Sequence, residues 1–288
     1  MRRAVVTLPE MIECETGLLG KVYACVMGGY SLDLIMPDEP VGSNMVYENR
    51  LSAPSSDGWG MRQDQGWGLH RGNFAVIHCL GIQVKSEILD DQVGELNDLI
   101  DAWVDRFSQW AEILSDGPTG LIVAQGASIE WVDLPFAKSL RQHIFTQAKP
   151  LSETCWSTAV DCANREEEPP LARSFLLWGE KAFAMLNWRA AVVDAATACE
   201  VALRYAIDEY MAKNNIPVGV RRALLRKSRN LGALKLLAGD LGIDLPGDLE
   251  EAVNKPRNRV LHGGDETCRD EAQAALSAAR ILVDKYKC

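Results

Sequence analysis

Short stretches of alternating apolar and polar residues dominate the first part of the chain, and this pattern predicts β-strands. Val5 and Val6, residues 21–27, residues 31–36 and residues 73–85 carry it, the last of these most clearly. Residues 49–72 are rich in glycine, serine and polar side chains, which predicts a long loop or hairpin. This part of the chain is therefore expected to form a sheet.

One helical pattern interrupts the strands. Over residues 91–114, apolar side chains recur every three or four positions, as on the buried face of a helix. Strand character returns over residues 119–124 and 128–134, whereas residues 139–162 fit neither pattern. The first part is predicted to be a mixed α+β domain.

The second part has helical periodicity throughout. Predicted helices cover residues 171–186, 188–211, 218–227, 231–241, 247–262 and 269–286, the fifth with a break at Pro256. A charged, proline-rich stretch, residues 164–170, separates the two parts. We therefore predict an α+β domain over residues 1–164, of unknown role, followed by an all-α bundle over residues 170–288.

The charge of the chain is uneven. A net charge of −10 argues against a general nucleic-acid coat, but no acidic residue lies between Glu209 and Asp240. That window holds Lys213, Arg221, Arg222, Arg226, Lys227, Arg229 and Lys235. Two interpretations stay open: a surface that holds RNA phosphates, or an ordinary solvated hairpin.

Other classes of protein receive no support from the sequence. No apolar run approaches the roughly 20 residues of a membrane helix, and the first residues lack the apolar core of a signal peptide. The eight cysteines form no Cys-x-x-Cys pair and make no ligand-spaced cluster with the four histidines. We expect a cytoplasmic protein without a membrane segment, a bound metal or another cofactor.

The strongest chemical signal is a short run of basic and polar residues that ends in two glycines. Arg257, Asn258 and His262 place a cation, an amide and an imidazole within six residues. On a helix, Asn258 and His262 share one face because they are four residues apart, and Arg257 reaches the same patch. Pro256 suits the first position of a helix, with Asn254 as its cap.

These three side chains fit the cleavage of RNA without a metal. The reaction needs the 2′-hydroxyl activated, the leaving oxygen protonated and the phosphate charge stabilised. An imidazole can do the proton work near neutral pH, and a guanidinium donates charge-assisted hydrogen bonds to phosphate. An asparagine can orient the histidine or the phosphate.

The order Arg257-Asn258-x-x-x-His262 resembles the signature of the HEPN superfamily, in its apea-like form. That signature is an arginine followed after four to six residues by a histidine, and the order of helices over residues 170–288 also matches. The resemblance implies a HEPN-like bundle that forms a homodimer through this domain, with one composite site built from both motifs. It further implies metal-independent RNA cleavage to a cyclic or 3′-phosphate end and a 5′-hydroxyl, in a toxin or antiviral defence effector.

The motif leaves alternatives open. A HEPN module without catalysis would dimerise and bind RNA, nucleotide or protein, and Arg257 and His262 would then only serve the end of a helix. Arg259 is an alternative to Arg257 on the same face. Glu200 either supports the site, as acidic residues near this position do in family members, or pairs with Arg204 along its own helix. The predicted RNA-binding residues are Arg221, Arg222, Arg226, Lys227, Arg229 and Arg259.

Overall fold

A computed structural model describes residues 2–39, 50–54, 59, 67–115, 121–123, 128–132, 142–144, 150–246, 248–263 and 266–286. The chain divides into two compact units, Met1–Glu168 and Pro169–Cys288. The first combines an antiparallel sheet with helices and the second is helical, which confirms the predicted fold class. The predicted domain boundaries, 164 and 170, lie on either side of this division.

The first unit is organised around an antiparallel sheet. The strands of the unit are β1 (Arg3–Glu15), β2 (Val22–Met27), β3 (Tyr30–Ile35), β4 (Arg50–Leu51), β5 (Gly68–Arg71), β6 (Phe74–Val84), β7 (Leu121–Val123), β8 (Ser128–Trp131) and β9 (Gln142–Ile144). The sheet has the order β2-β3-β6-β1-β8, with β5 pairing to β6 and β4 pairing to β5. A separate pair is formed by β7 and β9.

Strand β1 is longer than predicted, because the sequence pattern indicated only Val5 and Val6. Its register against β6 shifts between Thr7 and Ile12, and Pro9 lies inside this irregular stretch. Proline has no N–H for a ladder hydrogen bond, so a bulge is where a strand tolerates it. The strand therefore continues past a residue that interrupts the sequence pattern.

Two helices pack their apolar faces into the core of this unit, α1 (Val93–Leu114) and α2 (Glu153–Asn164). Trp103 and Phe107 of α1 stack with ring centroids 5.1 Å apart, and Trp156 of α2 meets Phe107 edge-on at 4.9 Å. All three side chains are buried. The ambiguous residues 139–162 thus include a helix whose aromatic residue completes the core.

The side chain of Asn164, the last residue of α2, is bonded to the outer edge of β2. Its Nδ2 donates to the Ala24 carbonyl at 3.3 Å, and its Oδ1 accepts from the Val26 N–H at 3.4 Å. The same oxygen accepts from Trp103 Nε1 at 3.0 Å. The residue that opens the predicted linker is therefore part of the first unit, and it covers backbone groups that an edge strand otherwise leaves unpaired.

The second unit is a bundle around the 26-residue helix α4. Its helices are α3 (Leu171–Ala184), α4 (Trp188–Lys213), α5 (Val218–Lys227), α6 (Leu231–Asp240), α7 (Lys255–Asn258) and α8 (Arg269–Tyr286). Buried alanines along α4 let its neighbours approach closely, and α3 contributes Gly179. A Cβ at Gly179 would lie 2.9 Å from Leu276 Cδ2 and 3.3 Å from the Ala191 carbonyl.

Helix α7 is the centre of a continuous helical run, residues 250–263, which we call the motif segment. Wide π-type turns flank it, Glu250–Asn254 before and Arg259–Gly263 after. Asn254 has helical dihedral angles and makes no side-chain cap, so the predicted cap and the predicted break at Pro256 are both wrong. The Lys255 N–H bonds to the Glu250 carbonyl five residues back, and the wide turn accepts a proline that would clash in a regular α-helix.

The described residues contain no helix that is both long enough and apolar enough to span a bilayer.

Candidate functional site

Arg257 is held on two sides by side chains of the second unit. Its Nη1 donates to Asn258 Oδ1 at 3.1 Å, and its Nη2 lies 3.7 Å from Glu200 Oε1. The side chains of Arg257 and Glu200 are 24% and 19% exposed, so the pair is largely shielded but not closed off from solvent. The guanidinium is therefore orientated before any ligand arrives.

Glu200 also caps the start of helix α6. Its Oε1 accepts from the Leu231 N–H at 3.0 Å, where a backbone donor of the first turn of α6 has no partner within the helix. A carboxylate is favourable at this end of a helix because it meets the positive end of the helix dipole. One oxygen thus joins α4, α6 and the motif segment.

The predicted alternative for Glu200, a pair with Arg204 along α4, is wrong. Arg204 instead donates to the Leu225 carbonyl at 3.1 Å and to the Ser228 carbonyl at 2.9 Å, at the end of α5. Helix C-termini leave carbonyl groups without partners, and a guanidinium satisfies two at once. Tertiary contacts therefore replace the local pair that the spacing suggested.

Asn258 begins a chain of hydrogen bonds that leads away from Arg257. Asn258 Nδ2 donates to Asn254 Oδ1 at 3.5 Å, and Asn254 Nδ2 donates to Glu250 Oε1 at 3.0 Å. Glu250 Oε2 accepts from Lys235 Nζ of α6 at 2.6 Å. Four side chains thus connect Arg257 to α6.

The Lys235 ammonium and the Asn254 amide lower the pKa of Glu250, because both donate to its charged form. Glu250 is consequently ionised at neutral pH and acts only as a hydrogen-bond acceptor there.

His262 lies in the second wide turn and is exposed. Within the part of the chain that the structure describes, no hydrogen bond or ion pair holds its imidazole. The backbone beside it is fixed, since Arg189 Nη2 donates to the Val260 carbonyl at 3.1 Å. The imidazole is thus presented to solvent from an anchored turn. Gly264, the second of the two glycines that end the run, lies outside the described residues.

The predicted RNA-binding residues fall into two groups. Arg222, Arg226, Lys227 and Arg229 are exposed on α5 and the turn after it, and none of them forms an ion pair with another described residue. Arg221 is instead committed to Asp208, with 2.9 Å to its carboxylate and 3.1 Å to its carbonyl.

Arg259 is directed to another part of the bundle than Arg257, since it pairs with Glu271 of α8. Arg259 and Glu271 line a groove of about 680 Å³ between the motif segment and the start of α8. Asn258 also lines this groove, with three acidic side chains, Glu251, Asp270 and Glu271, and two basic ones, Lys255 and Arg259. Because Arg259 is paired with Glu271 and the acids outnumber the bases there, Arg259 is not an equivalent of Arg257.

Glu250 was not among the predicted site residues, and Asn254 was predicted to be a helix cap. The available signal was a four-residue spacing, because Glu250, Asn254, Asn258 and His262 follow one another at that interval. Among the described residues, no group of three or more His, Cys, Asp or Glu side chains is arranged to hold a metal ion.

Comparison with known proteins returned no match to this chain among family models, curated proteins or solved structures.

Proposed function

We propose that the second unit is a metal-independent endoribonuclease of the HEPN type, with Arg257, Asn258 and His262 as its catalytic residues. The observation that carries the proposal is that one short helical segment holds both a pre-orientated guanidinium, that of Arg257, and an exposed imidazole, that of His262. Arg257 binds the scissile phosphate, and Asn258 holds one edge of its guanidinium. A place among toxin or antiviral defence effectors belongs to the same proposal.

The reaction is an internal transesterification. The 2′-oxygen of the RNA attacks the adjacent phosphorus and loses its proton to a general base, while the bond from phosphorus to the 5′-oxygen breaks. A general acid protonates that leaving oxygen, which gives a 2′,3′-cyclic phosphate and a 5′-hydroxyl. Water can then open the cyclic phosphate to a 3′-phosphate.

Two proton-transfer groups are needed, and the motif offers one imidazole per chain. A homodimer with two motif segments at its interface supplies both, with one His262 as base and the other as acid. The charge that develops on the phosphate is stabilised by Arg257, whose planar guanidinium donates two hydrogen bonds at once.

The exposed cations on α5 give the substrate a path to the site. The turn from α5 to α6 is joined to α4 beside Arg257, because the Leu231 N–H and the Arg257 guanidinium share Glu200 Oε1. Arg229 lies in that turn, two residues before Leu231. A single strand of RNA bound along Arg222, Arg226, Lys227 and Arg229 is thereby led towards Arg257.

The proposal is tested with a single-stranded RNA and its DNA counterpart in the presence of EDTA. We expect cleavage of the RNA alone, and a single 2′-deoxy substitution at a mapped cleavage position should block that position only. Sedimentation should show a dimer at micromolar concentration. Cleavage of DNA, dependence on a divalent metal, or a strictly monomeric protein that still cleaves would each count against the mechanism.

A module that dimerises and binds RNA, nucleotide or protein without catalysis is the second candidate. The pair between Arg257 and Glu200 favours it, because a guanidinium that is partly neutralised attracts a phosphate less strongly. The two candidates separate in one experiment, since the binding module retains RNA that it never cleaves.

A further inference from the structure

The hydrogen bonds behind Arg257 have a fixed direction. A carboxylate only accepts and a guanidinium only donates, so Glu250 and Arg257 fix the two ends of the chain. Asn254 must turn its amine to Glu250 and its carbonyl to Asn258, and Asn258 must then turn its own carbonyl to Arg257. Both ends impose the same orientation on the two amides, so neither amide can flip without breaking two bonds.

The backbone supports this arrangement. In a regular α-helix, residues four apart drift around the axis because a turn holds 3.6 residues. The motif segment contains a wide turn at Glu250–Asn254, and a wider turn reduces that drift. Glu250, Asn254 and Asn258 therefore stay in line, and their side chains contact one another in sequence.

The chain is anchored outside the motif segment. Lys235 binds Glu250 from the second turn of α6, and the first N–H of the same helix binds Glu200. Helix α6 thus holds Arg257 from two directions, once through Glu200 and once through Glu250, Asn254 and Asn258. Asn254 is also close to Gly232 of α6, with its Nδ2 3.6 Å from where a Cβ would stand.

The geometry points to Asn254 and Glu250 as positioning residues for Arg257 and Asn258. They contact no reacting atom. They fix the orientation of the Asn258 amide, and this amide in turn fixes the orientation of the Arg257 guanidinium towards the phosphate. This inference rests on the proposed ribonuclease function. It predicts a loss of turnover with little loss of RNA binding, because the exposed cations of α5 supply most of the attraction.

The experiment compares kcat and KM for single-stranded RNA in four variants of the full chain. Asn254→Leu removes both bonds, and Asn254→Asp places a carboxylate against Glu250. We expect kcat to fall about 10- to 100-fold in both, because small misplacements of a catalytic group have effects of this size, while KM changes less than about threefold. Glu251→Gln, which removes a charge from the exposed neighbouring pair with Lys255, is the matched control and should leave kcat unchanged.

Rescue distinguishes positioning from a general structural role. Adding Glu250→Gln to Asn254→Asp reverses donor and acceptor in that one bond and leaves an acceptor for Asn258, so kcat should return to within about threefold of wild type. Equal kcat in wild type and Asn254→Leu, or no recovery in the double variant, overturns the inference. A parallel fall in kcat and thermal stability that the double variant does not repair has the same consequence.

A readout that needs no catalysis separates failure of this inference from failure of the proposed function. In the wild-type protein, the Arg257 Nη1–Hη signals in ¹⁵N spectra, assigned with Arg257→Lys, should be resolved and sharp, because Nη1 donates to Asn258 Oδ1. They should broaden or vanish in Asn254→Leu and return in the double variant. If RNA stays uncut but the signals behave this way, the function is wrong and the positioning stands; if the signals are the same in all variants, the positioning is wrong.

Discussion

The sharpest structural prediction concerns Glu200, which joins three elements through one carboxylate. In Glu200→Gln the amide oxygen still accepts from the Leu231 N–H, but the negative charge that faces Arg257 and the start of α6 is gone. In Glu200→Ala the acceptor is lost as well. The two variants therefore separate the contribution of the charge from that of the hydrogen bond.

The magnitudes follow from the geometry. Two unit charges about 4 Å apart attract by about 4 kcal/mol at an effective dielectric constant near 20, before desolvation and side-chain entropy are subtracted. Because both side chains keep some exposure to solvent, we expect a net loss of about 1 kcal/mol in Glu200→Gln. A hydrogen bond to a charged group contributes about 1.5–3 kcal/mol, so Glu200→Ala should lose about 2–3 kcal/mol.

The matched control lies on the same helix. Glu209 pairs with Lys213 one turn on, at 2.8 Å, and the two side chains are 42% and 71% exposed. Glu209→Gln should therefore cost at most about 0.5 kcal/mol. The free energy of unfolding is measured by urea denaturation of the full chain, and the transition of the second unit is identified with the core variant Leu203→Ala.

A double-mutant cycle completes this test. Glu200→Gln combined with Arg257→Gln should show a coupling energy of about 1 kcal/mol, since the two side chains are in contact. If both Glu200 variants behaved like Glu209→Gln, or if the coupling energy were zero within error, the contact would not exist in solution and the pre-orientation of Arg257 would lose its basis.

The remaining predictions concern the sheet edge, the pH dependence and the basic surface. Asn164→Ala should destabilise the first unit by about 2–3 kcal/mol and promote self-association through β2, which sedimentation and urea denaturation will detect; a stable monomer would contradict the edge-covering role. Because the pKa of Glu250 is lowered in the folded protein, its pair with Lys235 stabilises the fold at pH values above the ordinary glutamate range. This stabilisation is lost as the pH falls through the lowered pKa. The stability gap between wild type and Glu250→Gln should thus be full at pH 7 and should shrink as the pH falls below the ordinary glutamate range; a constant gap would refute it. Arg226→Gln should weaken RNA binding and reduce the salt slope by about 0.7, whereas Lys213→Gln should do neither; equal effects would remove α5 from the substrate path.

Much of the fold follows from periodicity along the chain. The apolar spacing of residues 91–114 and 188–211 predicted α1 and α4 to within a few residues, since a long amphipathic or alanine-rich pattern fits only a helix. Strand β1 was underestimated because its ladder continues past Pro9, and only the pairing with β6 reveals that. The pattern of apolar residues reflects local preference, whereas pairing with a partner strand determines where a sheet edge or a bulge lies.

The candidate site was also predictable only where its contacts are local. The motif itself is local, so the sequence predicted that Arg257 and Asn258 lie together, and they are bonded. The partner of Glu200 could not be predicted from spacing. The tertiary fold brings the Leu231 N–H of α6 to Glu200 and the end of α5 to Arg204, so Glu200 and Arg204 do not pair with each other. Asn254 resembled a cap because a proline follows two residues later, and the wide turn that accommodates this proline leaves no sequence signal of its own.

We propose that His262 and Arg257 perform RNA cleavage, and an RNA cleavage assay with product analysis tests this proposal. Purified wild-type protein, His262→Ala and Arg257→Ala are incubated with an end-labelled single-stranded RNA in EDTA, and the product ends are identified. We expect cyclic phosphate or 3′-phosphate ends and 5′-hydroxyl ends with wild type, and a loss of about 10²–10⁴-fold in both variants, which remain folded and dimeric. Undiminished cleavage by His262→Ala, or a wild-type dimer that neither cleaves nor binds RNA, would contradict it.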